Sequence, residues 1–249
     1  MRVFTYWSVN GGVGKTTLSC ECAYSIAKKN KDKKVLLLDF NLVNPDTDYH
    51  LKMDKVTDLK ELYGYLASNT LNEEILEACL AKYPKMNNFF ILSGLYDINF
   101  FDKIVKKHFE LIIELAKQMG FDFIFIDIDS SLNIDATFVA LTLADRVLVV
   151  CDGMYHTVRN TNRYIEDALS RAEINDSNLD IIVNKFDKDL SNKEELKKLL
   201  GRNDIFFIES NKIVPVCINK GAPFVDIENK TTKNLIQEMN NLTDYLTNL

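Results

Sequence analysis

The chain has 249 residues, 47% of them hydrophobic and 27% charged, ordinary values for a soluble globular protein with a large core. Thirty basic against 36 acidic residues give a formal net charge of −6, so nucleic-acid binding through overall basicity is not indicated. No apolar run approaches the roughly 18–20 residues of a membrane span, and Met1-Arg2 leads straight into a strand without the shape of a signal peptide. Cysteines at 20, 22, 79, 151 and 217 are odd in number and lack framework spacing, which fits reduced thiols in a cytoplasmic protein.

Apolar runs predict buried strands at 2–7, 34–39, 89–92, 122–128, 146–151, 179–184 and 205–208. Helical periodicity fills the gaps, at 16–29, 58–67, 72–82, 102–119, 133–143, 157–172, 191–200 and 231–247. Apolar runs such as Phe121-Asp122-Phe123-Ile124-Phe125-Ile126 and Arg146-Val147-Leu148-Val149-Val150 suit a parallel sheet covered on both faces. The alternation predicts a doubly wound α/β fold with a mostly parallel sheet and helices on both faces. No linker or repeat interrupts it, so a single domain over 1–249 is expected.

Between the first strand and first helix lies Ser8-Val9-Asn10-Gly11-Gly12-Val13-Gly14-Lys15-Thr16-Thr17. A strand, a glycine-rich turn and a helix opened by Gly-Lys-Thr is the layout of a phosphate-binding loop. Backbone N–H groups of residues 11–17 would converge on phosphate oxygens, helped by the positive end of the helix. Lys15 would reach the β- and γ-phosphates, and the Thr16 hydroxyl would meet Mg²⁺. The usual loop has a glycine where Val9 stands; here the glycines are paired as Gly11-Gly12. That form resembles the deviant phosphate loop, K-G-G-x-G-K-[ST], of the MinD/ParA family. The resemblance implies a P-loop NTPase fold, Mg·ATP as ligand, a homodimer formed around ATP, and a role as a cytoplasmic positioning switch.

Two further strands end in carboxylates. Asp39 closes the second, at the strand end where open α/β sheets bind ligands, so it is placed to meet the loop or the metal's water shell. The family reads Asp-x-Asp here, its second carboxylate serving the attacking water. This chain has Asn41, which can orient a water but cannot take its proton. Asp46 and Asp48 read as capping residues of a turn. Asp127 ends the run from Phe121 and has the Walker B shape of a Mg²⁺ carboxylate. Asp129 stands where the family has proline; a local structural role is expected, with a metal-shell acid or replacement base as alternatives.

Asn184-Lys185-Phe186-Asp187 resembles the family's adenine-side motif, but it also fits the Asn-Lys-x-Asp of GTPases, in which Asp187 would select guanine. Ile213-Val214-Pro215 resembles the family's strand end beside the base, with Asn219-Lys220-Gly221-Ala222-Pro223 after it. The resemblance thus implies that Asn10, the loop, Asn184, Lys185 and Pro215 bind nucleotide, that Thr16, Asp39 and Asp127 serve the metal, and that Lys15, Asp39 and Asn41 serve hydrolysis. Asn10 replaces the family's signature lysine, which reaches the partner subunit's nucleotide. With Asn41 also neutral, slow or absent hydrolysis is expected, or a non-hydrolysing scaffold. The altered loop and Asp39-Phe40-Asn41-Leu42-Val43-Asn44-Pro45-Asp46 look most like the CpaE/TadZ branch, which places pilus or secretion machinery through protein partners. The final helical pattern lacks a lysine-rich face, so Leu235, Ile236, Met239, Leu242 and Leu246 are expected in the core rather than on a membrane. Basic residues such as Lys193, Lys197 and Arg202 have acids among them and read as a solvated face rather than a DNA site.

Overall fold

A computed structural model describes residues 1–54, 56–171 and 174–249. β1 (Arg2–Trp7) runs through the glycine-rich loop into α1 (Lys15–Lys29), and β2 (Val35–Phe40) leads to a single helical turn, α2 (Thr47–His50). There follow α3 (Leu59–Ala67), α4 (Glu73–Cys79), β3 (Ala81–Lys82), β4 (Phe89–Leu92), α5 (Lys106–Gln118), β5 (Phe123–Ile128) and α6 (Asp135–Thr142). The chain continues through β6 (Arg146–Asp152), α7 (Tyr155–Arg171), β7 (Leu179–Phe186), α8 (Lys193–Leu200), β8 (Ile205–Glu209), α9 (Ile213–Lys220) and α10 (Lys233–Asn248).

The strands form one sheet in the order β3-β4-β2-β5-β1-β6-β7-β8, parallel except for the short edge strand β3. This is the doubly wound α/β fold expected. Side chains alternate between two apolar layers, as the period of a strand requires. On β5, Ile124, Ile126 and Ile128 enter the layer that also holds Leu62, Phe109 and Val158 from α3, α5 and α7. Phe123 and Phe125 of the same strand face the opposite layer, with Leu18, Ile26 and Leu242 from α1 and α10. Fully burying each such side chain stabilises the fold by about 1.5–3 kcal/mol. The last helix is spent in this way: Leu235, Ile236, Met239, Leu242 and Leu246 are all buried, as its composition suggested.

Three expectations change. The helix expected over 72–82 ends at Cys79, because Leu80 turns extended and 81–82 pairs antiparallel with β4. The helix expected from 102 starts at Lys106, after a 3-10 segment, Ile98–Lys103, whose first turn is capped by the Asp97 carboxylate accepting from Asn99 N. Ile213-Val214-Pro215 is no strand end: β8 has already finished at Glu209, and these residues open α9. Proline is tolerated in a helix's first turn, where no N–H is needed. Residue 172, where the helical pattern expected from 157 was to end, lies outside the described residues.

The fold sets the site by strand order. β5 lies between β1 and β2, and β6 lies on the other side of β1. The loop after β1 therefore opens beside the carboxyl ends of β5 and β2, where Asp127 and Asp39 stand in register.

Candidate functional site

The loop is built around two left-handed glycines, Gly12 (φ 73°) and Gly14 (φ 98°). Val13 between them is 2% exposed and pins the turn to the core. β7 grips the loop from outside. The Asn184 Nδ2 donates to the Val13 carbonyl at 2.8 Å, and the Lys185 Nζ donates to the Gly12 carbonyl at 2.6 Å. A peptide's N–H points opposite to its C=O, so pulling these two carbonyls toward β7 turns the N–H groups of Val13 and Gly14 away from it. A Cβ on Gly14 would lie 2.4 Å from Asn184 Nδ2, so the glycine is required by conformation and by space. Lys185 itself adopts φ 53°, a left-handed conformation held by this contact.

Lys15 and Thr16 open α1. The Lys15 Nζ donates to Ser8 Oγ at 3.0 Å and to Ser130 Oγ at 3.1 Å. Burial lowers its pKa, and the nearby Asp127 and Asp129 carboxylates oppose that shift. The Trp7 indole N–H donates to the Ser130 carbonyl at 3.1 Å, fixing the backbone that carries the second hydroxyl. The Thr16 hydroxyl donates to Asp127 Oδ2 at 2.6 Å. The other oxygen, Asp127 Oδ1, is buried with no hydrogen-bond partner among the described residues. Burial pushes the Asp127 carboxyl up to about 6, against the pull of the Thr16 hydroxyl and Lys15. A lone carboxylate oxygen beside a threonine hydroxyl is a hard-oxygen pair that suits Mg²⁺. Among the described residues no three His, Cys, Asp or Glu side chains converge to hold a metal. A cation here would therefore take further ligands from water or phosphate oxygens.

Asp39 sits one strand behind, wholly buried. Its Oδ1 accepts from Asn41 N at 2.9 Å, and its Oδ2 accepts from Thr47 Oγ1 at 2.9 Å and Thr47 N at 3.3 Å. Burial and the neighbouring Asp127 both raise its pKa. Its hydrogen bonds shape the loop that follows β2, and the oxygens do not line the cleft. Asn41 does line it, but its Oδ1 accepts from Val43 N at 3.1 Å and Asn44 N at 2.9 Å. Asp129 is not the cap of α6, whose N-cap is Ile134. Its carboxylate accepts from Leu42 N at 3.0 Å and ties the loop after β5 to the loop after β2.

A cleft of about 970 Å³ runs from Ser130, past the loop and Thr17, to a wall made by Ile208, Val214, Pro215, Phe224 and Leu235. Lys185 and Asn184 edge it, whereas Asp187 is not among its lining residues and accepts from Asp189 N at 2.9 Å. Asn10 stands outside the lining, and its Oδ1 is buried without a hydrogen-bond partner among the described residues. Three residues here carry no local sequence signal. Ser130 holds Lys15. Glu21, buried in α1, accepts from Phe224 N at 2.8 Å and Val225 N at 3.3 Å, tying α1 to the far wall. His50 lines the cleft beside Thr17. Of the basic residues read as a solvated face, Lys193, Lys197 and Arg202 are in ion pairs with Glu238, Glu194 and Asp176.

This sheet order, with a glycine loop feeding a helix and a Thr–Asp pair at its mouth, defines the P-loop NTPase class. The chain belongs to the AAA_31 family, described as an AAA domain, which matches residues 1–181. Its likeness is to P-loop ATPases of the MinD/ParA type. An uncharacterized ATP-binding protein of Methanocaldococcus jannaschii is 26% identical over 263 aligned positions, covering 100% of this chain and 89% of the relative. The ParA family ATPase from Chlorobium tepidum superposes with a TM-score of 0.83 at 19% identity, covering 97% of this chain and 98% of that one. The septum site-determining protein MinD of Pyrococcus horikoshii, solved with Mg-ADP, gives 0.78 at 19% identity, covering 98% and 95%.

Proposed function

We propose that the chain is a nucleotide-dependent positioning or partitioning switch. It binds Mg·ATP in the cleft, dimerises across that face and recruits a protein partner, with slow or impaired hydrolysis. The observation that carries this reading is the mouth of α1. Its N–H groups, the Lys15 ammonium and the Thr16 hydroxyl stand at one end of a cleft large enough for a nucleotide, and the Thr16 hydroxyl holds Asp127 directly behind, with one buried carboxylate oxygen left unpartnered among the described residues. Backbone N–H groups of residues 11–17 and Lys15 hold the phosphates; Thr16 and Asp127 hold Mg²⁺, with Asp39 supporting from behind. Asn184, Lys185 and Pro215 border the space for the base. Bound Mg²⁺ supplies charge neutralisation on the phosphate oxygens.

Weak hydrolysis is supported by two side chains. Asn10 brings no charge. Asn41 has given its acceptor oxygen to the backbone of Val43 and Asn44, so it has none to offer an attacking water. The same facts favour the scaffold reading, in which nucleotide is held and not turned over. ATP is preferred to GTP because Asp187 serves a turn away from the cleft. The relatives with MinD and ParA names support the positioning role, and the altered loop supports a CpaE/TadZ-like branch of it. The unbridged thiols fit a cytoplasmic address; no helix among the described residues is long and apolar enough to cross a membrane.

The test is molar mass by light scattering without nucleotide and with Mg·ADP, Mg·ATP or Mg·GTP, following phosphate release in the same samples. A dimer with Mg·ATP only, and little phosphate, is the expected result. An unchanged mass in every sample overturns the switch; a response to GTP alone overturns the choice of base.

A further inference from the structure

His50 lines the cleft beside Thr17 of the glycine-rich loop, and nothing in the loop motif accounts for it. Its Nε2 lies 3.2 Å from Thr17 Oγ1, and Thr17 belongs to the first turn of α1. Its Nδ1 lies 3.0 Å from the Asp46 carbonyl. A carbonyl can only accept, so Nδ1 carries the proton. In the neutral ring Nε2 is then a lone pair, and the Thr17 hydroxyl donates to it. That arrangement is self-consistent without a ligand and unsuited to one. A phosphate oxygen at the first turn of α1 would compete for the Thr17 proton and would face the lone pair of the ring. Protonation of Nε2 reverses both effects, since the imidazolium donates toward the anion and leaves the Thr17 hydroxyl free to do the same.

The ring is also held in place. The turn that carries it packs on α1 and on α9. Gly221, at the end of α9, comes so close that a Cβ there would lie 2.7 Å from Lys52 Cβ and 2.9 Å from the Tyr49 carbonyl. Charged groups on the packed elements are Lys15, Glu21, Lys28 and Lys29 of α1, Lys212 and Lys220 at the two ends of α9, and Asp46, Asp48 and Lys52 around α2; Lys28 and Lys29 pair with Asp226 and Asp244. Glu21 is engaged with the Phe224 and Val225 N–H groups. Asp48, Lys52 and Lys220 line a separate hollow, while Asp46, Lys15 and Lys212 share the cleft.

We infer that His50 is a phosphate-contacting residue whose protonation is coupled to nucleotide binding, so that the protein takes up a proton at His50 when a nucleoside diphosphate or triphosphate enters. The inference rests on the nucleotide reading above and names a residue that the loop motif does not contain. By linkage, a proton taken up on binding makes the affinity fall as pH rises.

The experiment is calorimetric titration of the full-length protein with Mg·ADP in buffers of different ionisation enthalpy, at pH 6, 7 and 8, for wild type and His50→Gln. Glutamine keeps a donor and cannot take the proton, and comparing the two proteins cancels protons taken by the nucleotide and by the other groups. Wild type should bind about tenfold more tightly at pH 6 than at pH 8, relative to the same ratio for the variant, and should take up a larger fraction of a proton. A second readout needs no variant. The chain has three histidines, and the proton NMR titration of His50 should move to higher pH with Mg·ADP while those of His108 and His156 stay. Equal proton uptake in both proteins, or an unmoved His50 titration, overturns the inference. If wild type binds no Mg·ADP, the nucleotide reading fails instead.

Discussion

Glu21 offers the sharpest test of how α1 is tied to the far wall of the cleft. Its carboxyl is buried in the middle of the helix, and burial pushes it from 4.5 up to about 8, against the two N–H groups of Phe224 and Val225 that favour the charged form. The folded state therefore holds a proton that the unfolded chain releases. Its contribution to stability is complete below the unfolded value and is lost as pH rises through the folded one. A displacement of this size corresponds to about 5 kcal/mol between pH 4.5 and 8. Glutamine keeps an acceptor for Phe224 N and has no proton to lose. The assay is urea unfolding of wild type and Glu21→Gln across pH 5–9. The stability of the variant relative to wild type should climb by several kcal/mol across that range and level off above pH 8. A difference that stays flat would show that Glu21 is ionised or solvated in the native protein, and would refute the reasoning.

Gly14→Ala forces a side chain into a left-handed turn and onto Asn184 Nδ2. Strain of about 1–3 kcal/mol and loss of a buried hydrogen bond of similar worth should lower stability by about 2–6 kcal/mol and weaken Mg·ADP binding, both measurable by thermal shift with and without nucleotide. Asn10→Lys should raise the dimer fraction or the phosphate release seen with Mg·ATP, and no change in either would mean that position 10 does not face a partner's phosphates. Adding Asn41→Asp, which restores a carboxylate at the cleft wall, should raise single-turnover hydrolysis above that of Asn10→Lys alone.

Strands were legible because buried parallel strands are continuous apolar runs, and β5 and β6 lie within a residue of their expected bounds. The loop was legible because its glycines, lysine and threonine are consecutive in the chain. α9 was not, because Ile213-Val214-Pro215 is as apolar as a strand end. The readable signal was Gly221, which closes the helix with φ 57°. Asn184 was singled out for the base, and the geometry shows its amide nitrogen bracing the loop carbonyl of Val13. Glu21 and His50 escaped because their partners lie far along the chain, at Phe224 and at Thr17, and only the fold joins them. Asp39 looked like a site carboxylate from its place at a strand end. Whether its oxygens face the cleft or the backbone depends on the turn at Thr47, which no local pattern encodes.

The central claim is that Lys15 and the first turn of α1 hold the phosphates of a nucleotide in this cleft. The most direct measurement is the affinity of Mg·ATP for wild type and Lys15→Ala by isothermal titration, with the fold of both checked by circular dichroism. Tight binding by wild type and its loss in a folded Lys15→Ala variant is the result predicted. Equal affinity in the two proteins would contradict the account.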